Sequence, residues 1–151
     1  MPAGSFTLYD SAIPNIGDGL IDLDNDSFKI ALVASGYAPS VGHSVFADVS
    51  ASEIAAANGY TAGGAVLPTV SWAYVGNVAT FDSGDAVFSA SAGPLTARYA
   101  VVYDDTAVGK PLLGYYLLDS GNVDVSVNDG GSITCGPNGA SGWFAIESNA
   151  V

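Results

Sequence analysis

The sequence contains very few basic residues. Only Lys29, Arg98 and Lys110 stand against 15 Asp and Glu residues, so the formal net charge of the 151-residue chain is −12 at pH 7. Because proteins hold nucleic acid by neutralising its phosphates with Lys and Arg, we expect no nucleic-acid partner. Anionic membrane surfaces attract basic segments, so a membrane partner is disfavoured for the same reason.

Other absences narrow the class of protein further. No apolar run approaches the roughly 18 residues that a membrane-spanning helix requires, and residues 1–10 lack the basic and apolar stretches of a secretory signal. The single cysteine, Cys135, cannot form an internal disulfide. The fold must therefore depend on packing, and we expect the protein to be made in a reducing cytoplasm.

Short apolar segments separated by turn residues predict an all-β fold. The chain has 19 Gly and 7 Pro, spread throughout, and the segments between them are rich in Val, Tyr, Phe and Thr. About nine strands are expected, arranged as a β-sandwich or a jelly-roll-like barrel. These strands are predicted over residues 28–34, 69–74, 78–82, 86–90, 98–103, 112–118, 123–127, 132–135 and 142–146.

One short helix is predicted beside these strands. Ser50 or Ser52 can cap its first turn, Glu53 lies three residues after Ser50, and Asn58 with the following glycine ends it. A weaker helical turn is predicted within residues 9–16. A helix of two turns is only marginally stable by itself, so we expect it to pack against a sheet.

The length of the chain favours one folded domain. We place that domain over residues 21–151. Residues 1–20 are interrupted by Gly and Pro and are predicted to form an N-terminal arm that reaches away from the domain.

No catalytic constellation is visible in the sequence, so we expect a protein that is not an enzyme and has no cofactor. The single histidine, His43, lies in a loop-like stretch, and the chain has no Gly-x-Ser-x-Gly motif. Cys135 has no local partner and is expected to be a buried small apolar residue. The two glutamates are Glu53 and Glu147, and Glu53 suits the first turn of the predicted helix better than a glycosidase pair. A hydrolase would need a Ser or Asp beside His43 in the fold.

An aspartate-rich segment offers a possible cation site. Asp22, Asp24 and Asp26 alternate as in the first half of a calcium-binding loop. However, the Gly and Glu that such a loop needs further on are replaced by Ser27 and Val33. A turn that leads into the first long strand is the simpler interpretation, and whether the three aspartates bind a cation stays open.

Aromatic residues give a second alternative. Tyr99, Tyr103, Tyr115 and Tyr116 lie on predicted strands, where packing is their usual role. If they instead form an exposed platform, the protein would be a carbohydrate-binding module for host attachment.

Four stretches, in this order and spacing, resemble a family of small structural proteins of tailed bacteriophages. They are residues 22–32 (DLDNDSFKIAL), 58–64 (NGYTAGG), 97–106 (ARYAVVYDDT) and 110–115 (KPLLGY). The resemblance covers roughly residues 20–146. It implies a capsid decoration (cement) protein: a β-rich module that forms a homotrimer, binds the major capsid protein on the outer surface of the head and stabilises the shell by bridging capsomers. A neck, tail or fibre-base module of the virion is the alternative.

Interface residues follow from this hypothesis. A terminal arm can reach a neighbour at little cost, so we expect Phe6, Leu8, Tyr9 and Ile13 to contact neighbouring subunits. Arg98 is expected to pair with an acidic residue across a sheet or a subunit boundary. The mean hydropathy of +0.36 suggests apolar surface that an oligomer or a shell covers. The acidic face should then point towards solvent, away from the shell.

Overall fold

The computed structural model of the chain describes residues 3–149. The first two residues of the predicted arm and the last two of the predicted domain lie outside the described residues. Within them, twelve strands and two short helices form an all-β fold, as predicted. In chain order the elements are β1 (Thr7–Leu8), α1 (Ala12–Gly17), β2 (Phe28–Val33), α2 (Ala47–Ser50), β3 (Ala65–Val66), β4 (Ser71–Val75), β5 (Val78–Asp82), β6 (Ala86–Ser89), β7 (Leu95–Ala97), β8 (Tyr99–Asp104), β9 (Leu112–Leu117), β10 (Val125–Val127), β11 (Ser132–Cys135) and β12 (Phe144–Glu147).

A five-stranded antiparallel sheet with the order β1-β9-β8-β2-β3 forms the centre of the fold. Two of its three six-residue strands, β2 and β8, pair from Phe28 opposite Asp104 to Val33 opposite Tyr99. Both strands are almost wholly buried. Burial on both faces of the sheet explains why these strands are continuous apolar runs without the alternation of a half-exposed strand.

Three smaller sheets pack on the first face of the central sheet. Their strand orders are β10-β7, β11-β6 and β12-β5-β4. Side chains from both layers share one core, in which the rings of Phe28 on β2 and Phe81 on β5 lie 5.0 Å apart. The arrangement is sandwich-like, with separate sheets packed face to face over a common core.

A second, smaller core covers the opposite face of the central sheet. Ala31, Val33 and Val101 on this face pack against Tyr37 and Val49, which come from the long segment between β2 and β3. The central sheet is thus the middle of three layers. Among residues 3–149, no helix has the length and apolar character needed to span a bilayer.

The predicted strands are confirmed, most of them within one or two residues at each end, and β5 and β11 agree at both ends. The glycine and asparagine between β4 and β5 form the expected hairpin turn, with φ of 58° at Gly76 and 71° at Asn77. Three short strands were not predicted: β1, β3 and β7. Each has only two or three residues, too few for a periodic pattern.

The predicted helix is displaced, and a second helix is present. The turn expected within residues 9–16 is α1, whereas the helix expected from Ser50 to Asn58 is confined to α2, which ends at Ser50. Glu53 instead forms a β-bridge with Val33, and the Ile54 N–H donates to the Leu32 carbonyl. The prediction of a single helix over these residues is therefore wrong, because the chain uses their backbone groups to extend the edge of β2.

Candidate functional site

The N-terminal residues that we predict to contact neighbours lie on the domain itself. Leu8 pairs with Gly114 on β9, and the Phe6 ring lies 5.1 Å from the ring of Trp143. Tyr9 is 2% exposed, whereas Ile13 on α1 is 64% exposed. In this conformation the segment is not an arm that reaches away from the domain, because β9 offers it a free edge and an apolar surface. Of the predicted interface residues in this segment, only Ile13 presents most of its surface.

A chain of hydrogen bonds links the buried Tyr9 to His43. The hydroxyls of Tyr9 and Tyr37 are 2.6 Å apart, and the Tyr37 hydroxyl lies 2.9 Å from Nδ1 of His43. Burial raises the pKa of Tyr9 above its usual value, so its phenol stays neutral. Tyr9 and Tyr37 lie 28 residues apart, so no local pattern could have predicted the bond that joins them.

The other residues considered for catalysis also have structural partners. The Glu53 carboxylate accepts hydrogen bonds from the Tyr60 hydroxyl and the Gly63 N–H, both at 2.6 Å. Cys135 is fully buried, and burial raises the pKa of its thiol to about 11. Glu147 lies on β12, opposite Val78 on β5. The contacts of Glu53 and Cys135 stabilise loops and core.

All three basic side chains form ion pairs within the chain. Nε of Arg98 lies 2.8 Å from Oδ1 of Asp124, so the predicted partner of Arg98 is an aspartate of the same chain. Lys29 and Lys110 both bind Asp105, and these two ion pairs lower the pKa of the Asp105 carboxyl. The remaining acidic residues therefore have no basic side chain left to pair with.

The aspartate-rich segment forms a turn, the simpler of the two interpretations of the sequence. Oδ1 of Asp22 accepts the Asp24 N–H at 3.0 Å and the Asn25 N–H at 3.1 Å. The Asn25 side chain also donates to Asp22, and these bonds lower the pKa of Asp22. Asp24 is exposed. The three aspartates therefore do not converge on one point as they would in a calcium-binding loop.

Asp26, however, meets a buried carboxylate from the end of β8. Asp104 is fully buried, and its Oδ1 accepts the N–H groups of Thr106 and Ala107 at 2.8 and 3.0 Å. Its Oδ2 is buried without a hydrogen-bond donor, and the Asp26 carboxyl lies within hydrogen-bonding reach. Burial, together with Asp26, raises the pKa of Asp104 to about 6. The sequence stretches that contain Asp26 and Asp104 gave no indication that the two would meet.

An uncharged apolar surface lies at the edge of the β12-β5-β4 sheet. Tyr74 on β4 and Ile146 on β12 both lie opposite Ala79 on β5, so the three side chains share one face. The preceding row on that face, Trp72, Phe81 and Phe144, belongs to the core. Tyr74 and Ile146 lie on the same face of the sheet as these core residues but are exposed to solvent, by 68% and 55%.

Strand β4 is also an unprotected edge strand. It has a neighbour on one side only, and residues 54–81 contain no Asp, Glu, Lys or Arg. Edge strands usually carry a charge, a proline or a bulge that prevents pairing with another chain, and β4 has none of the three. We call β4 together with Ile146 the uncharged edge. Exposed apolar side chains on an unpaired strand edge are a common feature of surfaces that bind another protein.

Comparisons of the chain with models of protein families, with curated proteins and with solved structures found no match.

Proposed function

We propose that this chain is a structural protein of a tailed-phage virion, a capsid decoration protein that binds the major capsid protein on the outside of the head. The four sequence stretches that resemble such proteins support this proposal. The structural observation that carries it is the uncharged edge in a chain whose net charge is −12. A protein that covers a shell needs a surface of this kind, together with a face that remains in water.

The distribution of charge gives the proposed orientation. Residues 54–81 carry no charged side chain, whereas Asp22 and Asp24 line a cleft beside Trp72 on β4. The uncharged edge faces the shell in this proposal, so the side chains of β4 bring no charge into the contact. Acidic side chains that the shell leaves uncovered then face solvent and keep particles from associating.

The chemistry of binding follows from the exposed side chains of the edge. Tyr74 and Val75 are 68% and 77% exposed. Because successive side chains of a strand point to opposite faces, it is Ile146 that shares the face of Tyr74, and covering these two removes apolar surface from water and supplies roughly 2–4 kcal/mol before the cost of association. The outer N–H and C=O groups of β4 can also pair with a strand of the capsid protein, as in other cases of strand addition. Many copies on one shell, associated as homotrimers, would bridge capsomers.

A head-binding assay tests this proposal. Heads assembled without the protein are mixed with the purified chain, and the bound copies are measured after sedimentation. We expect saturable binding that Tyr74→Glu weakens by at least about tenfold, since a buried unpaired charge costs more than 1.4 kcal/mol.

The control adds the same charge at an exposed apolar residue outside that sheet. Val41 is 78% exposed on a loop, so Val41→Glu should leave binding unchanged. If the wild-type chain does not bind heads, the proposed function is wrong. If both variants bind like the wild type, the uncharged edge is not the contact surface.

A further inference from the structure

Asp104 presents an unusual buried charge. The residue is fully buried, yet Oδ2 has no hydrogen-bond donor among the described residues. Among the described residues, the charged group that acts on Asp104 is a second carboxyl, that of Asp26. Leaving a carboxylate oxygen buried and unpaired is costly, and two adjacent carboxylates repel each other. A missing positive charge would resolve both problems.

No Lys or Arg side chain of the chain is free to supply that charge. Its three basic side chains are engaged elsewhere, Arg98 with Asp124 and both lysines with Asp105. Lys29 lies opposite Tyr103 on β8, and Lys110 follows Asp104 in the next loop, but both lysines bind the neighbouring Asp105. Solution can supply the missing positive charge, either as a proton shared by Asp26 and Asp104 or as a bound cation.

The two carboxylates are held in place by bonds between their loops. The Ser27 N–H donates to Oγ1 of Thr106 at 2.9 Å, and the Asp105 N–H donates to the Ser27 carbonyl at 2.8 Å. The Asp26 carboxylate also accepts the Asp22 N–H at 2.9 Å. Because these bonds fix both loops, the Asp26 and Asp104 carboxyls are held within hydrogen-bonding reach of each other.

We propose that Asp26 and Asp104 form a binding site for a divalent cation, with Ca²⁺ as the ion of best fit. Two carboxylates from different loops, completed by water and backbone oxygen, match the hard and flexible oxygen coordination that Ca²⁺ accepts, whereas Mg²⁺ demands a near-ideal octahedron. No group of three or more His, Cys, Asp or Glu side chains with metal-binding geometry occurs in residues 3–149. The affinity should thus be weak, with a Kd of roughly 0.1–1 mM.

Binding would tie the turn that precedes β2 to the loop that follows β8. These two strands pair along their whole length at the centre of the fold. Occupation of the site would therefore stabilise the middle of the domain, whether or not the protein lies on a viral shell.

Calorimetric titration of metal-free protein with CaCl₂ near neutral pH tests the proposal. We expect one site, and a melting temperature that rises by roughly 3–6 °C at ten times the Kd. Asp104→Asn and Asp26→Asn should each weaken binding at least about tenfold. Asp104→Asn keeps the carbonyl oxygen that accepts from Thr106 and Ala107, and circular dichroism would verify that both variants fold.

Asp24→Asn is the matched control, because it removes the same charge from an exposed position in the same turn. It should bind Ca²⁺ within about threefold of the wild type. If Asp24→Asn weakens binding as much as Asp26→Asn, diffuse loop charge attracts the ion and the proposed site is wrong. If the wild type shows neither heat nor a shift in melting temperature at about 10 mM Ca²⁺, the proposal is overturned, and the two carboxyls share a proton instead.

Discussion

Replacing Tyr9 by alanine tests whether the N-terminal segment belongs to the folded domain. Tyr9 is 2% exposed, its ring lies 5.0 Å from that of Tyr115, and its hydroxyl is 2.6 Å from that of Tyr37. Removing a buried aromatic side chain costs about 3–5 kcal/mol. At about 2–4 °C per kcal/mol for a domain of this size, the melting temperature should fall by roughly 6–20 °C.

Ile13→Ala provides the matched control, since Ile13 lies four residues further along the same segment and is 64% exposed. Its effect on unfolding should stay within about 0.5 kcal/mol. Tyr9→Phe separates the hydroxyl from the ring and should cost about 1–2 kcal/mol, because Tyr37 loses a partner in a buried site. Thermal unfolding followed by circular dichroism measures all three. Equal, negligible effects of Tyr9→Ala and Ile13→Ala would refute the packing described here and restore the free arm that the sequence predicted.

Three further predictions concern the core and the surface. Gly114→Ala should lower the melting temperature and increase hydrogen exchange in residues 4–9. The β-carbon of the new alanine would lie 2.7 Å from the Thr7 carbonyl oxygen and closer still to the Phe6 ring. Unchanged hydrogen exchange in these residues would contradict this prediction. Cys135 should resist a thiol reagent at about pH 8 until the protein unfolds. The free energy of unfolding should fall as pH rises from 9.0 to about 11, because the folded state raises the thiol pKa. Rapid labelling of the native protein would argue against a buried thiol. Asp105→Asn should cost about 0.2–1 kcal/mol at neutral pH. The folded state lowers the pKa of Asp105 below 3.8, so the contribution of Asp105 to stability is present above that pH and is lost as pH falls through the folded pKa. An acid unfolding curve that is the same in the variant and the wild type would contradict the pairing of Asp105 with the two lysines.

The central strands could be predicted because their sequence pattern matches their environment. Residues 28–33 and 99–104 are short apolar runs bounded by turn residues, as expected for strands buried on both faces. The local sequence pattern did not predict the structure of residues 50–58 correctly, where a helix was expected. Glu53 is a plausible residue for a helical first turn, but its carboxylate binds Tyr60 and a loop N–H ten residues away. Tertiary contacts decided the local structure there.

The candidate sites were harder to predict, for a related reason. The hairpin between β4 and β5 was predictable, but the sequence could not show that β4 is an edge strand or that Tyr74 extends an apolar row towards Ile146. Asp26 was recognised as part of a possible calcium loop with Asp22 and Asp24. Its partner is instead Asp104, on a strand far along the chain.

The central claim is that this chain coats the head of a tailed phage. Quantitative mass spectrometry of purified virions that contain the chain tests it most directly, by comparing its copy number with that of the major capsid protein. The account predicts a copy number close to that of the capsid protein, as bridging of capsomers over the whole shell requires. A handful of copies per particle would contradict the account and assign the protein to the neck, tail or fibre base.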